Sequence, residues 1–322
     1  MNSIITQYLI DFSSKNIAII GDLMLDKYIF GDVERISPEG PIPIIAVTKV
    51  KHVPGGAANV ATNITTLNGN AYLLGVVGDD VSKEILINET KKFNIDASGI
   101  IIDKTKITIK KVRVISQNQQ LLRIDHEDTK YIDSYTNGQF IKSLERFNEV
   151  SVIIISDYAK GTITEEFMRN IKSYATKNNI KIIVDPKPIH YSFYKDVFLI
   201  TPNKKEAEEM SGIKIFDNKT LEICGRKLMN QLNCRVIITL GEKGMSIFEP
   251  DEKPTHISTT AKEVYDVSGA GDTVVAALSL AISAGSTLHE AAIIANHAAG
   301  IKVGKVGTAP VFLEELKKSF NS

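Results

Sequence analysis

Short apolar, β-branched runs separated by helical patterns recur along the chain: "NIAIIGD", "AYLLGVVGDD", "VSVIIISDYAKG", "KIIVDPK", "VFLITPN" and "CRVIITLGEKG" each close on polar or glycine-bearing residues. Such runs predict a parallel sheet with crossover helices on both faces, an α/β fold. In sheets of this kind ligands gather outside the carboxyl ends of the strands. Asp22, Asp157, Asp185, Asn203 and Gly241 are therefore expected on one rim.

Two segments break this rhythm. "DKYIFGDVERISPEGPIPIIAVTKV" and "TIKKVRVISQNQQLLRIDHED" alternate polar and apolar residues and read as antiparallel strands outside the main sheet. Strands that leave just after a ligand-facing strand end would form a flap able to exclude water, the alternative being a plain edge sheet. With no internal repeat or low-complexity linker, the organisation expected is a single domain over residues 1–322, with small β-strand lid segments at approximately 27–52 and 107–127.

Lys plus Arg and Asp plus Glu both number 38, so the chain carries no electrostatic footprint for nucleic acid. No signal-peptide pattern opens the sequence and no apolar run reaches membrane-spanning length, so a cytoplasmic protein is expected. Cys224 and Cys234 lack metal-binding or redox spacing and read as buried thiols.

The chemistry concentrates in "YDVSGAGDTVVAAL", residues 265–278, where a polar segment turns into an apolar helix beginning near Asp272. The first N–H groups of a helix lack partners and carry the positive end of its dipole, so Gly269, Ala270 and Gly271 make a plausible anion hole. Asp272 alone fits an N-cap equally well. A carboxylate beside an anion hole is the arrangement of phosphotransfer.

The pattern "DVSGAGD" at 266–272 and the upstream "VPGGAANVATNITTLNG" at 53–69 resemble the two signatures of the PfkB/ribokinase family of sugar kinases. The resemblance implies a ribokinase-like fold, ATP and Mg2+, room for a monovalent cation such as K+, and Asp272 as catalytic base. It assigns Gly55, Gly56 and Asn59 to the acceptor sugar, and Asp22 and Asp26 suit sugar hydroxyls. "TPNKKEAEEM" matches the family's N-x-x-E pattern, which implies that Asn203 and Glu206 organise magnesium through water and bind phosphates; a capping box uses the same spacing. The loop "TLGEKG", with Thr239, Gly241 and Gly244, matches the family's nucleotide loop, and Asn296 and Gly300 match positions flanking adenine. His297 carries no assigned role.

Longer strings, among them "GDLMLDKYIFGDVERISPEGPIPIIAV", "VRVISQNQQLLRIDHED" and "SDYAKG", resemble the branch of this family that phosphorylates the anomeric hydroxyl of D-glycero-β-D-manno-heptose 7-phosphate in lipopolysaccharide core synthesis. Many such kinases are fused to an adenylyltransferase; none is expected within residues 1–322, so a separate adenylyltransferase would act later. The substrate's own phosphate calls for cations, for which Arg113 is the leading candidate with Lys110, Lys111, Arg123, Lys160 and Lys187. Gln117 stands where part of the pattern has a basic residue. Homodimerisation through the lids is implied as well. The alternatives are a kinase of fructose 1-phosphate or ribose, and a sugar- or nucleotide-binding regulator.

Overall fold

The computed structural model describes residues 2–117, 119–147, 149–261, 263–305 and 309–321. Its strands are β1 (Asn16–Gly21), β2 (Leu23–Ile36), β3 (Pro43–Gly56), β4 (Asn70–Val77), β5 (Asp96–Ile102), β6 (Ile109–Ser116) and β7 (Gln119–His126), followed by β8 (Val150–Ser156), β9 (Lys181–Asp185), β10 (Leu199–Ile200), β11 (Arg235–Thr239), β12 (Met245–Phe248) and β13 (Thr255–Ile257). The α-helices are α1 (Asn2–Asp11), α2 (Ala57–Thr66), α3 (Val81–Lys91), α4 (Ser134–Leu144), α5 (Glu165–Lys177), α6 (Lys204–Ser211), α7 (Asn218–Leu232), α8 (Ala270–Ser283), α9 (Leu288–Val303) and α10 (Leu313–Ser319).

The main sheet runs β13-β12-β11-β10-β9-β8-β1-β4-β5. It is parallel from β5 to β11, and β12 and β13 close it with antiparallel pairings. Its strands are apolar on both faces because both are covered. Ile17 and Ile19 of β1 join one buried layer with residues of α2, α8 and α9, while Ala18 and Ile20 join the other with residues of α4, α5, α6 and α7. Small residues let α2 and α8 pack closely at the centre, where Thr273 Oγ1 donates to Asn63 Oδ1 at 2.9 Å. The two glycine-bearing helix starts, one from each end of the sequence, thereby meet at the rim.

The lid is a separate four-stranded sheet in the order β3-β2-β6-β7. Its outer pairs are antiparallel, but the central β2–β6 pair is parallel, with Met24 opposite Ile109. This corrects the expectation of purely antiparallel strands. β2 continues from β1 and β6 follows β5, so both leave the same rim of a parallel sheet in the same direction. Position 118 of the second lid segment lies outside the described residues. Among the described residues no helix is long and apolar enough to cross a membrane.

Candidate active site

Asp272 stands in the first turn of α8 and is buried. Gly269 is the N-cap, at φ +77, and no side chain caps the helix, so capping does not account for the carboxylate. Its two oxygens are held from opposite sides: Asn59 Nδ2 donates to Oδ2 at 2.5 Å and the Tyr158 hydroxyl donates to Oδ1 at 2.7 Å. Burial pushes the Asp272 carboxyl above the ordinary carboxylate range, and these two hydrogen bonds oppose the shift by stabilising the ionised form. A carboxylate oxygen accepts more than one hydrogen bond, so each retains capacity for a substrate hydroxyl.

The turn before it differs in detail from expectation. The Ala270 N–H is engaged by the Val267 carbonyl at 3.2 Å, so it is not free to bind an anion. The N–H groups without an acceptor among the described residues are those of Gly271 and Asp272. Gly269 contributes backbone conformation: a β-carbon there would stand in the left-handed region and 3.0 Å from Asn59 Nδ2. Beside Gly271 a β-carbon would meet nothing within 4 Å, which leaves the approach to the turn open.

The strand ends converge as the pattern of runs implies. The Asp22 N–H donates to the Ser156 carbonyl at 3.2 Å, that of Asp157 to the Asp185 carbonyl at 3.1 Å, and Asn203 bridges to Thr239. Asp22, however, does not present its carboxylate to a ligand. Oδ2 accepts from the Tyr158 and Lys160 N–H groups at 2.9 Å and Oδ1 from the Thr162 N–H at 3.1 Å, so the side chain shapes the loop that carries Tyr158. Asp157 is engaged likewise, by His190 at 2.7 Å and by the Tyr194 hydroxyl at 2.6 Å.

On the lid side Arg113 donates to Asp26 Oδ1 at 2.5 Å, and its guanidinium lies 5.3 Å from the Tyr28 ring centroid. Lys111 stands opposite Asp26 in the same sheet. Burial pushes its ammonium below the ordinary lysine value, which Asp26 and Asp125 oppose. Arg123 pairs with Asp125 at 3.0 Å and Lys160 with Glu127 at 2.7 Å. Gly55 and Gly56 let β3 run against β2: a β-carbon on Gly56 would meet the Asp22 carbonyl oxygen at 2.3 Å, and one on Gly55 the Asp26 carboxylate at 2.6 Å. Gln117 occupies the β6–β7 turn at φ +49.

Asn203 and Glu206 form a capping box at the start of α6, with Asn203 Oδ1 accepting from the Glu206 N–H and Glu206 Oε2 from the Asn203 N–H, both at 3.0 Å. The other Glu206 oxygen pairs with Lys187, whose Nζ stands 5.7 Å from the Tyr158 ring centroid. Lys187 thus stands beside the N-x-x-E pair on the rim. Gly241 and Gly244 hold positive φ values in the loop after β11. Beside that loop is a cavity of about 580 Å³, lined among others by Lys204, Leu240, Lys243, Ser258 and Thr259. Asn296 does not face it: its Nδ2 donates to the Ser258 carbonyl at 2.8 Å, and the chain at Thr260 crosses Gly300 closely. These two residues hold the wall of the cavity. His297 is satisfied by Ser319 at 3.0 Å and stacks on Phe320, so it remains structural. Cys224 and Cys234 are buried free thiols, with burial pushing Cys234 up to about 12.

A sequence profile described as pfkB family carbohydrate kinase matches residues 14–315. The chain belongs to this family of carbohydrate kinases. The kinase is 40% identical over 312 residues to the bifunctional protein HldE of Desulfatibacillum aliphaticivorans, covering 95% of this chain and 63% of that protein. It is 43% identical over 303 residues to the bifunctional protein HldE of Helicobacter hepaticus, covering 93% and 62% respectively. The chain therefore spans about 63% of the length of the first of these curated relatives. Among solved structures, Arabidopsis thaliana ribokinase complexed with ribose and ATP has a TM-score of 0.76 at 18% identity, over 96% of this chain and 99% of that one. Escherichia coli phosphofructokinase-2 in complex with potassium reaches 0.81 at 20%, over 95% and 98%. These two likenesses establish the shared fold, a ribokinase-like sheet with a small lid.

Two rim residues of the kinase carry no role in the sequence reading. Tyr158 contacts Asp272 directly, and its position one residue beyond a strand-end aspartate in "SDYAKG" was the available signal. Asp185 is half-buried, and among the described residues no donor bonds its carboxylate. Burial holds that carboxyl well above the ordinary range, reinforced by Asp272 and Glu206 and opposed by Lys187.

Proposed function

We propose that this kinase transfers the γ-phosphoryl group of ATP to the anomeric hydroxyl of D-glycero-β-D-manno-heptose 7-phosphate, giving the 1,7-bisphosphate on the route to ADP-heptose and the lipopolysaccharide core. The observation that carries the chemistry is Asp272, held on both oxygens beside the open N–H groups of Gly271 and its own backbone. The sugar rests on the extended strings and on relatives called bifunctional protein HldE at 40% and 43% identity. Arg113 and Lys111 at the lid joint fit an acceptor that brings its own phosphate.

As the anomeric oxygen bonds to the γ-phosphorus, the bond from phosphorus to the bridging oxygen breaks, ADP departs, and Asp272 takes the hydroxyl proton. In a loose transition state the base acts late, so positioning and charge stabilisation supply most of the acceleration. Asn59 and Tyr158 aim the base, the α8 turn receives the phosphoryl oxygens, and the lid excludes water. The cavity beside the Gly241–Gly244 loop takes the nucleotide, with Thr239 at its root. Among the described residues no group of three or more His, Cys, Asp or Glu could hold a metal ion. Asp185 and the Asn203–Glu206 box would hold magnesium arriving with the nucleotide, and it would supply neutralisation of the charge on the phosphates. A monovalent cation such as K+ belongs to the same proposal.

A homodimer through the lids completes the proposal. β7 is exposed along its whole length, including Leu121, Leu122 and Ile124, and Val47 and Val50 of β3 are exposed on the opposite edge strand. An adenylyltransferase acting on the bisphosphate after loss of one phosphate would complete the route.

The test is ADP release with heptose 7-phosphate, fructose 1-phosphate and ribose as acceptors, for the wild type and Asp272→Asn. A dominant rate with heptose 7-phosphate and a loss of about 100-fold or more in Asp272→Asn, with folding intact, is expected. A preference for another acceptor replaces the sugar, and near-normal turnover by Asp272→Asn removes the base.

A further inference from the structure

Lys302, in the last turn of α9, is 1% exposed, and among the described residues it is the one lysine buried to this degree. Its Cε lies 3.6 Å from the point where a β-carbon on Gly269 would stand. Around that same point Asn59 Nδ2 lies at 3.0 Å and Asp272 Oδ2 at 3.8 Å. The end of the lysine, the carboxylate base and the amide that holds it therefore converge on the N-cap of α8. The backbone fixes this meeting, because the Tyr265 and Asp266 N–H groups donate to the Val303 carbonyl at 2.7 and 3.2 Å and tie the end of α9 to the loop that becomes the α8 turn.

The last turn of α9 favours positive charge, whereas the first turn of α8 disfavours it through its dipole. Burial pushes the Lys302 ammonium below the ordinary lysine value, and Asp266 and Asp272 oppose that shift. An ammonium buried against the positive end of a helix is stabilised by a multiply charged ligand in the same turn.

We propose that Lys302 is a charge-positioning residue for phosphoryl transfer: its ammonium lies beneath the α8 turn and adds fixed positive charge where the γ-phosphoryl group is received. The inference rests on the kinase reading of that turn but not on which sugar is the acceptor. Its test is therefore made on the nucleotide. The affinities of the wild type, Lys302→Met and Lys302→Arg for the magnesium complexes of AMP-PNP and ADP are measured by titration calorimetry, with thermal melting as the folding control. Loss of a charge-assisted contact weakens binding roughly tenfold. Lys302→Met is expected to lose roughly tenfold in AMP-PNP affinity relative to ADP, and Lys302→Arg to recover most of it. Packing alone would leave the AMP-PNP to ADP ratio unmoved, and an unmoved ratio in a variant that melts like the wild type overturns the proposal. Should Lys302→Met fail to melt cooperatively, Lys302→Gln carries the same comparison with the same deciding outcomes. A kinase that rejects heptose 7-phosphate yet shows the AMP-PNP effect refutes the proposed sugar and supports Lys302.

Discussion

The ionised form of Asp272, the proposed base, is favoured by two neighbours against the cost of burial, and that balance makes its surroundings testable one residue at a time. Removing the Tyr158 hydroxyl deletes a donor that stabilises the carboxylate. Tyr158→Phe is therefore expected to lower turnover roughly tenfold and to move the acid limb of the kcat profile to higher pH, because the Asp272 carboxyl rises further. An acid limb that stays in place contradicts the role given to this contact. Asp185 tests the other side of the balance. Its carboxyl is raised in the folded state, so the folded protein binds more protons than the unfolded one between about pH 4 and that raised value. Stability accordingly falls as pH rises through the folded value, and the penalty is complete above it. Asp185→Asn should melt a few degrees higher than the wild type at neutral pH while losing activity, with the difference shrinking as pH falls and gone below about pH 4. A lower melting temperature at neutral pH would contradict this sign. Asp272 and Asn59 were legible in the sequence because each lies in a local glycine-bearing pattern. Tyr158 was not, because its partner is 114 positions away and only the folded rim joins them. Asp22 shows the converse: a polar residue at a strand end reads as a ligand contact, yet three backbone N–H groups already engage it.

At the scale of elements, the apolar strand runs and the buried α8 follow from their hydrophobic patterns, while β12 and β13 went unmarked. β13 is three residues long and only partly buried, so no apolar run announces it. The lid segments were visible as alternation, but alternation carries no information about strand direction, which the departure of β2 and β6 from one rim decides. The Asn203–Glu206 box shows two uses of one spacing. It caps α6 through its backbone contacts, while the remaining Glu206 oxygen holds Lys187 at the rim. The lid also carries the proposed dimer contact. An exposed edge strand with apolar side chains is a ready pairing surface. Leu122→Asp on β7 is expected to shift the protein from dimer to monomer in sedimentation equilibrium. A wild type that sediments as a monomer at micromolar concentration contradicts the proposed pairing.

Over the whole molecule, the parallel sheet turns distant segments into one rim. β1, β8, β9, β10 and β11 deliver their carboxyl ends side by side, and α2 and α8 bring the Asn59 amide onto the Asp272 carboxylate. The fold and the membership in the carbohydrate kinases follow from this arrangement and from the family match. The acceptor does not, since neither the fold nor the family match names a sugar, and the phosphorylated acceptor remains part of the proposal. The most direct measurement is phosphorus NMR of the purified kinase with ATP, Mg2+ and D-glycero-β-D-manno-heptose 7-phosphate. The account predicts a new anomeric phosphate signal appearing with ADP while the 7-phosphate persists. A folded enzyme that leaves the heptose phosphate unchanged, and instead transfers phosphate to another sugar, would contradict it.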